Sequence, residues 1–326
     1  MINQTGKETL NHILKGKESV AISGHIRPDG DCVGSCMGLY LYLKENFHFN
    51  ELDVYLERIP DSFHILQGTK EIKHEISGEK HYDLFICLDC GDLDRLGFSA
   101  ELFLNAKSTF CVDHHISNRS FANENYVVPD ASSTSELIFQ LMDTDKISKA
   151  TAEALYMGIA HDTGIFQYSC TAPSTMETAA VLLRKEIDAN EITDRTYSEK
   201  TYTQNQILGK ALLESMMLLN RKCIASIVTL KDLHFFEADA RDLEGIVSQL
   251  RNTKGVEVAI FLYELEPQVY KVSLRSKGLV DVNKVAQYFG GGGHVRAAGC
   301  SMNGNYYDIL NNIVRQIDLQ LKETPS

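Results

Sequence analysis

Three apolar runs of strand length each stop abruptly at a histidine or an aspartate. Glu18–Ser23 (ESVAIS) leads into Gly24-His25, Asp83–Leu88 (DLFICL) into Asp89, and Thr109–Val112 (TFCV) into Asp113-His114-His115. A charged or metal-binding group is costly inside a buried strand and tolerable at its end. A further strand is expected at Leu52–Leu56 (LDVYL). Helical spacing of apolar residues runs from Asp31 to Asn46 and recurs near 133–143, 150–160 and 174–186. Strands alternating with helices predict an α/β fold with a doubly wound parallel sheet. Ligands of such sheets bind outside the carboxyl ends of the strands, so the three polar strand ends are expected to converge on one edge.

The second half changes character. Residues 187–218 read as helical and polar, and from Cys223 onward the chain is β-rich (CIASIVTL, VEVAIFLYEL, QVYKVSLRS). A short helix (VNKVAQYF), the run GGGGHVRAAG and a C-terminal helix (YYDILNNIVRQIDLQLKE) follow. The expected partition is a first domain over 1–187, a helical connector over 188–218 and a second, smaller α/β domain over 219–326. The 326 residues suit two domains of roughly 100–200 residues each.

Composition narrows the partners. The formal charge of −12 and the lack of a basic cluster argue against a grip on long nucleic acid, which requires neutralising many phosphates. A nucleotide substrate would be short, with bound divalent metals supplying positive charge. No apolar run reaches the roughly 18 residues of a membrane span. The polar N-terminus lacks a signal-peptide core, so a cytoplasmic location is expected. The eight cysteines lie mostly in apolar runs and read as buried thiols, including the C-x-x-C pair Cys87 and Cys90.

Four motifs carry chemistry. GHIRPDGDCVGS places His25, Asp29 and Asp31 within seven residues after a strand; LDCGD supplies Asp89; VDHH supplies Asp113, His114 and His115; AHDTGIF supplies Asp162 after a helix. Alone, Asp-Gly-Asp reads as a solvated turn, and Asp162 as an ordinary helix end. Together they form a carboxylate- and imidazole-rich set that suits Mn²⁺ or Mg²⁺, with Zn²⁺ or Fe²⁺ as alternatives. More carboxylates than one ion needs point to two metals sharing one aspartate, a recurring device of phosphoryl transfer.

The set HIRPDGD, LDCGD, VDHH and HDTG resembles the DHH phosphoesterases, and GGGGHVRAAG resembles the signature of their DHH-associated C-terminal domain. The resemblance spans essentially the whole chain and is similar in length and layout to the nano-RNase members. Those members also act on 3′-phosphoadenosine 5′-phosphate or on the linear diadenylate pApA. It implies that His25 and Asp29 bind one Mn²⁺, that Asp31, His114 and Asp162 bind a second, and that Asp89 bridges them. It further implies that Asp113 orients His114 and that His115 meets the substrate phosphate. His161 reads as structural or supporting.

Substrate binding is expected from the second domain. The run Gly290–Gly293 followed by His294 can form an anion-binding nest of successive backbone N–H groups. The resemblance adds Arg275, with Ser273 and Ser276 beside it, to Gly291, Gly292, Gly293 and His294 as substrate-binding residues. Arg296 and Arg95 are further basic candidates. A short nucleotide would span the two domains with its scissile phosphate over both metals, where a shared hydroxide attacks in line; the gap would limit substrate length. The alternatives are a family II-like inorganic pyrophosphatase and a non-catalytic nucleotide sensor. The first expects a basic Arg-Lys-Lys cluster where GGGGHVRAAG stands, and a long-strand exonuclease would need a larger chain and a basic channel. A homodimer is one expectation for assembly, though no motif specifies it.

Overall fold

The computed structural model describes residues 4–323, so the first three residues of the polar N-terminal stretch lie outside the described residues. The chain divides into two compact units, Met1–Glu199 and Lys200–Ser326.

The first unit holds five parallel strands: β1 (Ser19–Ser23), β2 (Glu51–Tyr55), β3 (Leu84–Leu88), β4 (Thr109–Asp113) and β5 (Glu124–Val127). Their order is β2-β1-β3-β4-β5. The expected strands fall in place; β5 is an addition, a partly exposed polar edge strand (ENYV) with no apolar run to announce it. Its helices are α1 (Gln4–Leu14), α2 (Gly30–Asn46), α3 (Ala100–Asn105), α4 (Thr134–Leu141), α5 (Lys149–Asp162), α6 (Pro173–Leu183) and α7 (Ala189–Thr193). Alternate strand residues serve opposite faces. Val20, Ile22, Leu84, Ile86 and Leu88 pack with α2, α4 and α5. Ala21, Phe85, Cys87 and Cys111 pack with Leu96, Leu102 and Phe103. Burial on both faces is why these strands read as continuous apolar runs.

The strand order reverses between β1 and β3, the position at which doubly wound sheets open a crevice at their carboxyl ends. Helices α2 and α5 cross at close range over this edge. A Cβ on Gly34 would stand 2.6 Å from the Ala154 carbonyl oxygen and 2.7 Å from the Gly158 nitrogen, so the crossing requires glycine there.

The second unit is a mixed six-stranded sheet in the order β10-β11-β9-β8-β7-β6. Its strands are β6 (Met216–Leu218), β7 (Cys223–Val228), β8 (Val258–Glu266), β9 (Val269–Ser276), β10 (Gly292–His294) and β11 (Ala297–Asn303). Only β7 and β8 run parallel; the other neighbours are antiparallel. Helices α8 (Tyr202–Leu213), α9 (Leu230–Phe235), α10 (Ile246–Arg251), α11 (Val282–Tyr288) and α12 (Tyr306–Glu323) complete it. The C-terminal helix buries Ile309, Leu310, Ile313 and Ile317 on one side of the sheet.

The connector expected at 188–218 is not an element of its own. Ile192 is buried in the core of the first unit, whereas Ile207 and Ala211 of α8 are buried in the second. Each apolar stripe commits its helix to a different core. All eight cysteines are free thiols, and Cys87 and Cys90 sit in the packed face beside Cys111. No helix among the described residues is long and apolar enough to cross a membrane.

Candidate metal centre

Strand β1 delivers His25 to the crevice. The Nδ1 of His25 lies 2.8 Å from the Ile26 carbonyl oxygen, which can only accept, so Nδ1 carries the proton. In the neutral ring the lone pair would then sit on Nε2, which faces Asp29 at 3.6 Å and Asp89 at 3.4 Å. A backbone partner that fixes the tautomer is what a metal-binding imidazole needs. Asp29 is the N-cap of α2: its Oδ1 accepts from the amides of Asp31 and Cys32, both at 3.1 Å. The cap that starts the helix also fixes a carboxylate at the sheet edge.

Asp89 stands at the centre. It follows β3 with φ +53°, a left-handed conformation that aspartate tolerates better than most residues. Its amide donates to the Val112 carbonyl at 3.1 Å. One carboxylate oxygen faces His25 Nε2, while the other lies 3.6 Å from His114 Nε2 and accepts from the Thr134 hydroxyl at 3.1 Å. One carboxylate thus faces His25 with one oxygen and His114 with the other, and His115 Nδ1 also lies 3.6 Å from the second oxygen.

Asp31, in the first turn of α2, is fully buried. Its Oδ2 accepts from the Thr134 amide at 2.6 Å and its Oδ1 from the Ser135 amide at 2.9 Å. These are N-terminal amides of α4, where a carboxylate is favoured. The close α2–α5 crossing brings Asp162, the last residue of α5, to the same place. His114 Nε2 lies 3.0 Å from Asp162 Oδ2.

Asp113 differs from expectation. Its carboxylate does not hold the His114 ring; Oδ1 lies 2.7 Å from His115 Nδ1, and Oδ2 accepts from Asn118 at 2.7 Å. Only the backbone amide of His114 meets Asp113, at 2.9 Å, while its Nδ1 faces the Ala131 carbonyl at 3.4 Å. Adjacent residues at a strand end point different ways, so only one of the two rings can reach the buried carboxylate. His161 is likewise structural: its Nε2 lies 3.0 Å from the Thr196 hydroxyl, and its ring packs between Phe63 and Tyr197.

The electrostatics mark a surplus of negative charge. Burial would lower the His25 imidazole, yet Asp29 and Asp89 raise it to about 12. Burial opposes protonation of His114 as well, and Asp162, Asp31 and Asp89 raise it to about 10. Burial, with the charges of Asp89 and Asp162, pushes Asp31 well above the usual carboxylate range. The carboxylates thus draw positive charge into the centre. Among the described residues, three groups have ligand atoms mutually within 4.8 Å: Asp31-His114-Asp162, Asp89-His114-His115 and His25-Cys32-Asp89. The oxygen- and imidazole-rich donor set fits divalent cations.

Sequence reasoning missed three participants. Thr134 and Ser135 act through backbone amides, announced only by the SSTSE capping pattern before an apolar helix. Nothing in the sequence singles out Cys32, whose sulfur lies with the His25–Asp89 group at the first turn of α2.

In the second unit, Arg275 and Ser273 lie on one face of β9, paired with Ala297 and Gly299 of β11. Ser276 is fully buried on the opposite face, its hydroxyl 3.4 Å from the Val295 carbonyl, which removes it from the company of Arg275. The glycine run is not a free loop. The amides of Gly290 and Gly291 donate to Gln287 and Ala286, and Gly292–His294 form β10. Two of the N–H groups of the expected nest are therefore spent on the end of α11. Two of the glycines serve a close strand approach: a Cβ on Gly291 would stand 2.2 Å from the Gly299 carbonyl oxygen, and one on Gly293 2.5 Å from that of Ala297. His294 and Arg296 are exposed. Arg95 is tied to the metal edge by its carbonyl, which accepts from the Ile26 amide at 2.7 Å.

Comparison with known proteins follows this division. Residues 19–159 match the DHH family, N-terminal domain, and residues 220–323 match the DHHA1 domain. The chain is 26% identical over 324 residues to the bifunctional oligoribonuclease and PAP phosphatase NrnA of Bacillus subtilis, covering 97% of this chain and 99% of that protein. It is 29% identical over 297 residues to the protein of the same name from Thermus thermophilus, covering 90% and 87%. The crystal structure of an exopolyphosphatase-related protein from Bacteroides fragilis superposes with a TM-score of 0.87 at 26% identity, over 98% of this chain and 97% of that one.

Proposed function

From the premise that this chain belongs to the DHH family and carries a DHHA1 domain behind it, we propose that it is a Mn²⁺-dependent phosphoesterase. Its substrates are short oligoribonucleotides, dinucleotides of the pApA type and 3′-phosphoadenosine 5′-phosphate. The relatives named for oligoribonuclease and PAP phosphatase activity support this substrate class. The observation that carries the reading is the Asp89 carboxylate, with His25 on one oxygen and His114 on the other.

In this reading His25, Asp29 and Asp89 would hold one divalent cation, and Asp31, His114, Asp162 and Asp89 a second. The chemistry such cations would supply is a lowered pKa for a coordinated water and positive charge for the phosphate oxygens. The chain supplies the rest. The α4 amides fix Asp31, and the Ile26 carbonyl fixes the tautomer of His25. Asp113 holds the proton on His115 Nδ1, leaving Nε2 to meet the phosphate or the leaving oxygen. Arg275, Gly292, Gly293 and His294 of the DHHA1 domain are assigned to substrate binding, whereas the Gly291 amide already donates to the Ala286 carbonyl. With a formal charge of −12, the chain suits a substrate of few phosphates.

The test is turnover of pApA, 3′-phosphoadenosine 5′-phosphate, pyrophosphate and a 5′-labelled RNA series from two to about 24 nucleotides, with Mn²⁺ titrated from zero. Fast cleavage of the shortest RNAs, falling with length and absent without metal, is expected. Faster cleavage of long RNA would refute the short-substrate reading. Turnover of pyrophosphate alone would replace it with the pyrophosphatase reading, and nucleotide binding without any turnover with a sensor.

A further inference from the structure

Two irregular stretches of backbone in the first unit converge on a pair of tyrosines. Beyond the Thr163 cap that follows Asp162, Gly164, Ile165 and Phe166 adopt φ of 58°, 55° and 61°. A left-handed conformation is costly for a side-chain-bearing residue, and most of all for a β-branched one. Here it is locked by the Ile165 amide on the Ala160 carbonyl at 2.7 Å and the Phe166 amide on the Thr163 hydroxyl at 3.0 Å. The reversal folds Tyr168 back over Gly164, with ring atoms 2.5–2.7 Å from where a Cβ would stand. Only glycine leaves room for that ring.

The second tyrosine comes from a turn of π-helix, Asp194–Ser198, a rare form concentrated at functional sites. Its Tyr197 hydroxyl lies 3.4 Å from that of Tyr168. The Tyr197 ring packs edge-on against His161, with centroids 5.3 Å apart. His161 in turn closes over Gly30, the residue between Asp29 and Asp31. A continuous line of contacts therefore leads from the metal centre to the two phenol rings. Yet Tyr168 and Tyr197 remain 45% and 38% exposed. Strained backbone that holds rings in place without burying them calls for a purpose other than core packing.

We infer that Tyr168 and Tyr197 form a stacking platform for a nucleobase of the substrate beside the metal centre. The inference rests on the phosphoesterase reading above and adds a recognition element to it. Stacking on an aromatic ring tolerates any base, because every base has a π face, and it gives affinity where few phosphates are available. The hydroxyl contact between the phenols and the edge-on packing against His161 fix the rings before a base arrives.

The experiment compares kcat/KM for pApA with that for its analogue bearing abasic sites in place of both adenines, in wild type and in Tyr168→Ala, Tyr168→Leu, Tyr197→Ala and Tyr168→Phe. Wild type is expected to prefer pApA by roughly tenfold or more. Tyr168→Ala, Tyr168→Leu and Tyr197→Ala should bring that ratio toward one, and Tyr168→Phe should restore it. A ratio unchanged by the alanine and leucine variants overturns the platform, as does an equal loss on both substrates. Quenching of a 2-aminopurine dinucleotide decides the same point without turnover: quenching in wild type that disappears in Tyr168→Leu supports stacking, and equal quenching in both refutes it. Failure of wild type to cleave pApA would sink the activity reading alone, with the quenching result still deciding the platform.

Discussion

The Nδ1 of His115 lies 2.7 Å from Oδ1 of Asp113, a carboxylate fully buried at the end of β4 and braced on its other oxygen by Asn118. The ionised carboxylate only accepts, so His115 carries its proton on Nδ1 and offers Nε2 outward. The contact with Asp113 raises His115, while its partner, despite burial, is held below the usual carboxylate range by His115. The two act as a unit. His115→Ala is expected to lower kcat by roughly 10²–10⁴-fold, the span of a positioned acid–base group. Asp113→Asn should lower it in the same direction, and the double variant should be no worse than His115→Ala alone. Multiplicative losses in this cycle would separate the two residues.

Asp89 faces His25 with one carboxylate oxygen and His114 with the other, whereas His25 faces only one side of it. Asp89→Asn keeps a residue type that tolerates φ +53°, so the variant should fold. It should lose Mn²⁺ from both positions, while His25→Ala loses one. Metal stoichiometry by elemental analysis after equilibrium dialysis, with a calorimetric titration, reads this directly. Retention of one tightly bound Mn²⁺ in Asp89→Asn would show that Asp89 does not serve both.

The candidate site was legible where a polar residue closes an apolar strand run: Asp89 follows LFICL and Asp113-His114-His115 close TFCV, where side-chain chemistry departs from what a strand core accepts. The parallel sheet followed from the same runs. What could not be read is set by backbone groups and rotamers. Thr134 and Ser135 hold Asp31 through amides that every residue but proline possesses. The choice of Asp113 between His114 and His115 depends on which ring turns inward. The glycine run suggested a loop because glycine is rare inside strands; the closeness of Gly299 to Gly291 and of Ala297 and Ala298 to Gly293 shows only in the fold. Residues 188–218 looked like one connector because no local signal says which core a helix serves.

Gly158 of α5 faces both Ser135 and Asp31. A Cβ there would stand 2.0 Å from the Ser135 hydroxyl and 2.8 Å from Asp31 Oδ1. Gly158→Ala therefore overpacks the junction that brings Asp31 and Asp162 together, although alanine is the better helix former. Overpacking of this kind costs about 1–3 kcal/mol, roughly 2–10 °C in Tm for a unit of this size. Thermal unfolding and Mn²⁺ affinity should fall together. A higher Tm with unchanged affinity would mean that α2 and α5 separate freely and that the crossing does not set the metal centre.

Asp53 gives the first unit an acid-sensitive contact away from the metals. Its Oδ2 accepts from Lys73 and from the Tyr82 hydroxyl, both at 2.6 Å, and the Tyr55 and Tyr82 hydroxyls lie 2.7 Å apart. Burial would raise its pKa, but Lys73 and Tyr82 hold it below the ordinary value of 3.8. With the folded value depressed, the unfolded chain takes up the proton first as pH falls. The stabilisation is therefore present in full above the unfolded pKa of roughly 4 and fades as pH drops through the folded one. Asp53→Asn should cost about 1–3 kcal/mol at pH 7. The gap between variant and wild type in urea unfolding should narrow as pH falls from 5 toward 3. A gap that stays constant over that range would assign the loss to packing around Tyr55 and Tyr82 instead of to the carboxylate charge.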